Sequence, residues 1–409
     1  MTTIASGISK LLTFKKQSGL GTIATTGSAQ NLRRTSSTLD KKKATYASKE
    51  IRPSQQRADF RHGVVGVDGT ISGELSVGTY QSFTESICRQ AVLAAVTSGA
   101  LTDVTAASTS GAAGTFTTVA ANWLTLGFKI GLVFRWSGWA TTGATNNATN
   151  MIITALTTTV MTVARLDGLP IGAKTAGDSV TALETGKHTF VPQSGHTRDY
   201  YTIEHNFADI VQSEVFTDCV MTQMNVKLPA TGMAGIDFMV KGLNMTAGTT
   251  GYFVTPSAVS SGTVLAAANG VLYVAGVAVA LITGLNFSIK GNYTTIGGVV
   301  GSNVEPDIFP GDVTVDGQIT VLFANATFRD YFVNETEVSI ICAFTTDNTA
   351  TAGFQAYSMP RVKMGGANKD DGEKGLVMTM PFTALENVAG GTGTSTFATT
   401  IAIQDSAFV

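Results

Sequence analysis

The sequence predicts a mainly β protein: a sandwich- or barrel-like body with a long hairpin, one or two short helices and a small inserted β domain. Three observations carry this reading. The stretch "VVGVDGTISGELSV", residues 64 to 77, puts Val65, Val67, Ile71, Leu75 and Val77 on one side and Asp68, Thr70, Ser72, Glu74 and Ser76 on the other, the period of a strand with one apolar and one polar face. "GDVTVDGQITVLF" repeats the pattern, with Val313, Val315, Ile319, Val321 and Phe323 opposing Asp312, Thr314, Asp316, Gln318 and Thr320. Thr, Ala, Gly and Val dominate the composition, and charged residues make up only 14% against an ordinary share of about 25%. That usage favours sheet over helix.

Residues 1 to 32, rich in Ser, Thr, Gly and Ala with scattered lysines, read as an extended or flexible arm. Residues 33 to 80 read as a long hairpin with its polar tip near "LDKKKATYASKEIRPSQQR". "SFTESICRQAVLAAV" then places Ser82 and Glu85 at capping-box spacing, with Phe83, Ile87, Ala91 and Ala95 on one helical face, which predicts a helix across the stretch. Residues 97 to 190 are rich in Thr, Ala, Gly and Asn with a turn signal about every ten residues, as in a small barrel or sandwich. They divide a body of residues 33–96 and 191–409.

In the second half of the body, Val220 to Leu228 alternates up to a Pro- and Gly-containing turn, and Ile236, Phe238 and Val240 alternate with Asp237 and Lys241, a second hairpin. "VLYVAGVAVALITGL" from Val271 would pass a hydropathy window for a membrane span, but Asn269, Gly270 and Gly276 interrupt it, and two buried strands joined by a turn explain it. "ANATFRDYFVNE" reads as a short helix. "TEVSIICAF", "GLVMTMPFTAL" and "TFATTIAIQ" read as closing strands.

Enzyme signals are poor. His62, His188, His196 and His205 have neither metal spacing nor a nucleophile partner and read as loop or surface histidines. "ETGKHT" lacks the leading Gly and following Ser or Thr of a phosphate loop, and "GLGTIATTG" follows no strand. "NKDDGEKG", around Asp370, Asp371 and Glu373, is contiguous, whereas a calcium loop alternates its ligands. Cys88, Cys219 and Cys342 lack CxxC or His spacing, which excludes a disulfide framework and leaves them as inert buried thiols. Asn147, Asn244, Asn292, Asn325 and Asn334 each begin an Asn-X-Thr triplet, with no export signal to make it a glycosylation site. The start has no basic n-region and too short an apolar run for a signal peptide, so synthesis in a reducing cytoplasm is expected. No catalytic residue, metal ligand or cofactor is expected.

The net charge of −2 hides a division. Residues 1 to 61 hold twelve Lys or Arg against Asp40, Glu50 and Asp59, while the remainder holds fifteen basic and twenty-six acidic residues. A nucleic-acid arm and a segment docking on the acidic body of a neighbouring copy both fit. Docking is favoured, because no aromatics interleave "NLRRTSSTLDKKK" to stack on bases.

Three stretches in order, "ADFRHGVVGVDGTISGELSVGTYQSFTESICR", "DYYTIEHNFADIVQSEVFTDCVMTQMNVKLPATGMAGIDFMVKG" and "IFPGDVTVDGQITVLFANATFRDYFVNETEVSI", resemble tail tube proteins of long-tailed, siphovirus-type bacteriophages. The resemblance implies a virion tail protein whose hexameric rings each close a continuous β-barrel and stack into a conduit for the genome. It implies homo-oligomeric contacts, a tape measure protein and double-stranded DNA in the lumen without sequence-specific binding, and terminator and distal tail proteins as partners. A 24-stranded barrel tilted by about 40° has a backbone diameter of about 48 Å, wide enough for duplex DNA. In this frame Asp68, Glu74, Asp312 and Asp316 are expected to face the lumen, where acidic and hydroxyl groups let phosphates slide. Lys41, Lys42, Lys43 and Lys49 are expected to dock on the adjacent ring, together with the amino-terminal arm. Residues 97 to 190 depart from the family pattern and are expected on the tube exterior. The alternative is a tail-surface or fibre-associated host-binding protein, with residues 97 to 190 as its recognition module.

Overall fold

A computed structural model describes residues 4–229, 231–370 and 375–409. Both alternating stretches lie in one sheet, whose long strands are β1 (Asp40–Ala47), β2 (Phe60–Glu74), β3 (Gln212–Pro229), β4 (Gly235–Gly242), β5 (Ile282–Lys290), β6 (Thr314–Leu322) and β7 (Val377–Ala384). They are antiparallel throughout, in the order β1–β2–β4–β3–β5–β6–β7. Ser72 stands opposite Asp237, Asp237 opposite Asn225, Asn225 opposite Ser288, Ser288 opposite Asp316, and Asp316 opposite Thr383. Directly opposed residues share a face, so one polar row crosses six strands. The reverse face buries Val67, Ile71, Val226, Phe238, Phe287 and Ile319, and a one-residue slip would turn every one of them into solvent.

Glycines interrupt the apolar alternation where a neighbour fills the gap. A Cβ at Gly73 would strike the Tyr80 phenol, and one at Gly317 the Phe382 ring. One residue of the expected polar face is misplaced: Ser76 lies beyond β2, fully buried, and its hydroxyl donates to Thr79 Oγ1 at 2.7 Å.

β3 is longer than its alternation. Ser213–Thr217 pairs on one side with Asn244–Gly248, and the same end of β3 pairs on the other with Tyr201–Phe207. Tyr201–Phe207 pairs in turn with Lys10–Lys16. The amino-terminal segment is therefore in part extended, as a paired strand with Leu12 and Phe14 buried. Two apolar anchors in a seven-residue strand are too few to stand out as a period.

The first helix, α1 (Gln81–Cys88), is also shorter than expected. Arg89 ends it at φ 57°, Tyr80 occupies the N-cap without a side-chain bond, and Glu85 accepts from Gln81 Nε2 at 3.1 Å instead of closing a capping box. The chain then runs extended beside the segment that returns to the body, Leu93 N–H donating to His188 O and Glu184 N–H to Val96 O, both at 2.8 Å. These bonds replace the helical turns expected for Ala91 and Ala95. The Phe83 ring wedges between Phe14, Tyr201 and Phe238 at 4.8, 5.5 and 5.2 Å, joining the small sheet to the large one.

Behind the apolar face of the large sheet stands a layer of Lys187–Phe190, Gly270–Val274, Val338–Thr345, Phe354–Met364 and Ala402–Asp405. The run from Val271 is strand, turn and strand, with Ala275 and Gly276 at positive φ in a two-residue turn; the first strand is largely buried, but the second, Val277–Ala278, is exposed, a correction to the expected pair of buried strands. One face of this layer gives Val274, Ile340, Cys342, Tyr357, Met359 and Ile403 to the shared core. Its other face gives Tyr273, Ile341, Ala343, Phe354 and Ala356 to a second cluster with Val133, Ile152, Ala164 and Leu166. Val133, Ile152 and Ala164 belong to a separate six-stranded sheet that begins at Thr105 and ends at Glu184, and Leu166 to the turn after one of its strands; that sheet has its own core of Phe116, Trp123, Phe128, Phe134, Trp136 and Trp139. The chain is thus three layers deep, the first two continuous where Val362–Met364 pairs with Phe382–Ala384. The second helix, α2 (Thr327–Val333), follows β6. No described helix is long and apolar enough to cross a membrane. Among the described residues β1 pairs along its length only with β2, so that edge is open and no barrel closes within one chain.

The outer sheet shields apolar surface that would otherwise face water. Replacing residues 98–182 by a short Gly-Ser bridge should lower the melting temperature sharply or cause aggregation in size-exclusion chromatography. A deletion variant as stable and soluble as the full chain would show that the third layer shields nothing essential.

Asp405 makes a second test. It is buried, accepts from Gly78 N–H at 2.9 Å, Gln355 Nε2 at 2.7 Å and Ala407 N–H at 2.8 Å, and burial pushes its carboxyl up to about 6. The folded chain therefore holds this proton more tightly than the unfolded chain, so its contribution is full near pH 4 and falls as pH rises toward 6, by on the order of 2 kcal/mol. Denaturant titrations from pH 4 to 7 should show that slope in the wild type and lose it in Asp405→Asn.

Candidate functional surfaces

The polar face of the large sheet is the broadest candidate surface. Asp68, Glu74 and Asp316 all belong to it, on β2 and β6. Asp312 stands just outside the paired strands, exposed two residues before β6 begins, its carbonyl accepting from Asn292 Nδ2 at 2.9 Å. Between the carboxylates lie hydroxyls and amides, among them Thr70, Ser72, Gln223, Asn225, Asn286 and Gln318.

The face is not simply acidic. Lys227 Nζ lies 2.7 Å from Asp237, Lys290 Nζ 3.1 Å from Asp316 and Lys42 Nζ 3.7 Å from Asp68, while Lys241 stands directly opposite Asp68 in register. Thr383 Oγ1 donates to the other Asp316 oxygen at 3.0 Å. Burial raises the Asp237 carboxyl, but hydrogen bonds from Lys227 and Ser72, with the Lys227 charge, outweigh it and hold the group below the usual carboxylate range. Lys227, Asp237, Lys241 and Lys290 belong to the surface as much as the residues expected there. Their alternation was visible, but which strands they would pair with was not.

The four basic hairpin residues divide. Lys41 Nζ turns back on its own chain, donating to Asn244 Oδ1 at 3.1 Å and Met245 O at 2.8 Å, and Lys42 faces Asp68. Lys43 and Lys49 are exposed and enter no ion pair among the described residues. β2 pairs with β4 only from Val67 to Glu74; beyond it Val65 is still held by a bond from its N–H to Asn303 O, and Phe60–Val64, paired with β1, projects past the sheet. Tyr46, Ile51 and Phe60 are exposed on this projection, and Ile296, Val299 and Val300 lie exposed at the same end. Met233, Leu281, Leu322 and Leu376 rim the opposite end of the sheet, also exposed. Apolar side chains thus border both ends of a polar face, a pattern that marks interaction surfaces.

Two histidines correct the expectation of loop or surface positions. His188 is buried, its Nδ1 2.7 Å from Glu184 Oε1. His205 is buried with Nε2 2.9 Å from Ser37 Oγ, and burial with the nearby Lys10 and Arg34 charges pushes it down to about 3. Both belong to strands whose two faces are covered. The three cysteines are buried and free, and burial pushes each thiol up. Among the described residues no group of three or more His, Cys, Asp or Glu is placed to hold a metal ion. Asp371 and Glu373 lie outside the described residues.

Over residues 7–387 the chain matches the family described as phage tail tube protein. No curated protein matches it.

The cross-strand pairs set charge more than stability. Lys227→Gln should cost less than about 1 kcal/mol in denaturant unfolding, the scale of a half-exposed pair. Carboxyl NMR should show Asp237 titrating at a higher pH than in the wild type; an unmoved Asp237 would show that Lys227 does not hold it down.

Proposed function

The chain belongs to the phage tail tube protein family, a structural component of the virion tail, and on that premise we propose that its polar sheet face is the inner wall of a genome conduit. Six copies form a ring, each contributing long strands of the large sheet, and rings stack into the tube. The observation that supports this most directly is the polar row from Ser72 to Thr383: it crosses six strands on the side of the sheet turned away from the outer layers. If that face is the lumen, the six-stranded sheet of residues 105–184 lies outside the tube as an inserted domain. The open β1 edge gives a neighbouring subunit a strand to continue, which removes an edge that would otherwise aggregate.

The chemistry of the face suits passage. Asp40, Asp68, Glu74, Asp237 and Asp316 stand against Lys42, Lys227, Lys241 and Lys290, a near balance with acid in slight excess. DNA phosphates meet little net attraction, and hydroxyls and amides offer no continuous basic track on which counterion release could drive binding. A tape measure protein and double-stranded DNA occupy the lumen in turn, and the terminator and distal tail proteins close the ends.

Electron microscopy of the purified chain is expected to show rings or hollow tubes; stable monomers across salt conditions would overturn the reading. Asp68→Lys combined with Glu74→Lys should leave tubes intact and make them retain duplex DNA at low salt, with retention lost steeply as salt rises. Tubes that retain no more DNA than the wild type would place that face elsewhere than the lumen.

A further inference from the structure

The two ends of the large sheet differ in shape. At one end the β1–β2 hairpin runs past β4 through Phe60–Gly66; Val65 is buried there, its N–H donating to Asn303 O at 2.7 Å, and Phe60–Val64 reaches about 17 Å beyond it at strand rise. A two-stranded ribbon of this kind is marginal alone, and it carries Tyr46, Phe60 and a fully exposed Ile51. At the other end the antiparallel register brings together Glu74, Pro229, Ile282, Leu322 and Val377. There a groove of about 350 Å³ opens between the Val277–Leu281 segment, the end of β6 and α2, lined by Val277, Leu281, Val321, Phe323, Phe328 and Tyr331.

We propose that this groove is the socket for the hairpin tip of a second copy of the chain, with Ile51 as its apolar anchor. The inference rests on the stacking reading above and names where the contact is made. Projection and groove sit at opposite ends of the same strands, so copies related by translation along the strand direction bring one to the other. Charge agrees. Arg52 and Arg61 are paired with Glu50 and Asp59 on the tip, and Lys49 and Arg57 enter no ion pair among the described residues. Beside the groove Arg329 is paired with Asp330, while Glu335 and Asp370 are exposed and enter none among the described residues. Tip cations therefore meet rim carboxylates around an apolar contact, the arrangement of a buried anchor within a polar border.

The test joins Ile51→Cys to Val277→Cys, both exposed positions, in a chain whose three native thiols are buried. Oxidation, or a short bis-maleimide linker, should convert assembled tubes into a ladder of covalent oligomers on a non-reducing gel. Ile51→Cys with Val119→Cys, exposed on the outer sheet, should give none. Tubes that form but fail to cross-link, or that cross-link equally in the control, would overturn the socket and leave the tube reading standing. Absence of tubes from the wild type would overturn the stacking itself. Independently, Ile51→Asp should keep the native circular dichroism spectrum and reduce tube yield about tenfold, the loss of one interface anchor; wild-type tube yield from that variant would overturn the socket.

Discussion

The architecture depends on a sheet that has no polar face. Val338–Thr345 and Phe354–Met364 bury side chains in both directions, Ile340 and Cys342 toward one core and Ile341 and Ala343 toward another. A sheet covered on both sides needs two partners, each of which must be apolar toward it. The large sheet is one partner, and its period of two then forces every intervening side chain outward, which creates the polar row. The six-stranded sheet of residues 105–184 is the other. Its separate aromatic core gives it the look of a module, but its contacts with Tyr273, Ile341 and Phe354 make it a structural wall of the body.

The same register that aligns the polar residues also neutralises them. Lys227 and Asp237 come from adjacent strands of one hairpin, and Lys290 and Asp316 stand across a β5–β6 boundary joined by a long excursion. Exposed pairs of this kind add little stability. Their consequence is electrostatic, because a row of fixed dipoles presents a smaller long-range field than the same carboxylates alone. Two acidic alternations seen one at a time suggest a negative wall; placed side by side with the lysines of β3 to β5, they make a nearly balanced one.

What was legible in the sequence follows from periodicity. β2, β4, β6 and the central part of β3 each have one wet and one dry face, so a period of two is written into them, and the polar faces of Asp68, Glu74 and Asp316 could be assigned. Phe354–Met364 could not be announced this way, since a strand covered on both faces has no period to show. The same holds for the buried strand histidines His188 and His205. Lys10–Lys16 and the early end of α1 are decided by partners distant in the chain, Tyr201–Phe207 and His188, so local propensity had no access to them. Ser76 continues the alternation in sequence after the strand has already ended. Which lysine meets which aspartate is a fact of register, and register is set by the whole sheet.

Geometry also constrains the kind of assembly that the ends of the sheet can support. An isologous contact requires the same patch on both partners, whereas a projecting ribbon and a groove at opposite ends of the strands are complementary only to each other. A contact between unlike ends leaves one free projection and one free groove however many copies have joined, so it propagates in line. Lateral contact is different in kind: it uses the open β1 edge, where backbone groups of one copy can be satisfied by another. A subunit with polar, paired charges on one broad face, covered apolar layers behind it, an unpaired edge at the side and unlike apolar ends therefore separates its interactions by direction. In the proposed tube, ring closure and stacking would then draw on different surfaces, and neither needs to consume the face left open to the solvent.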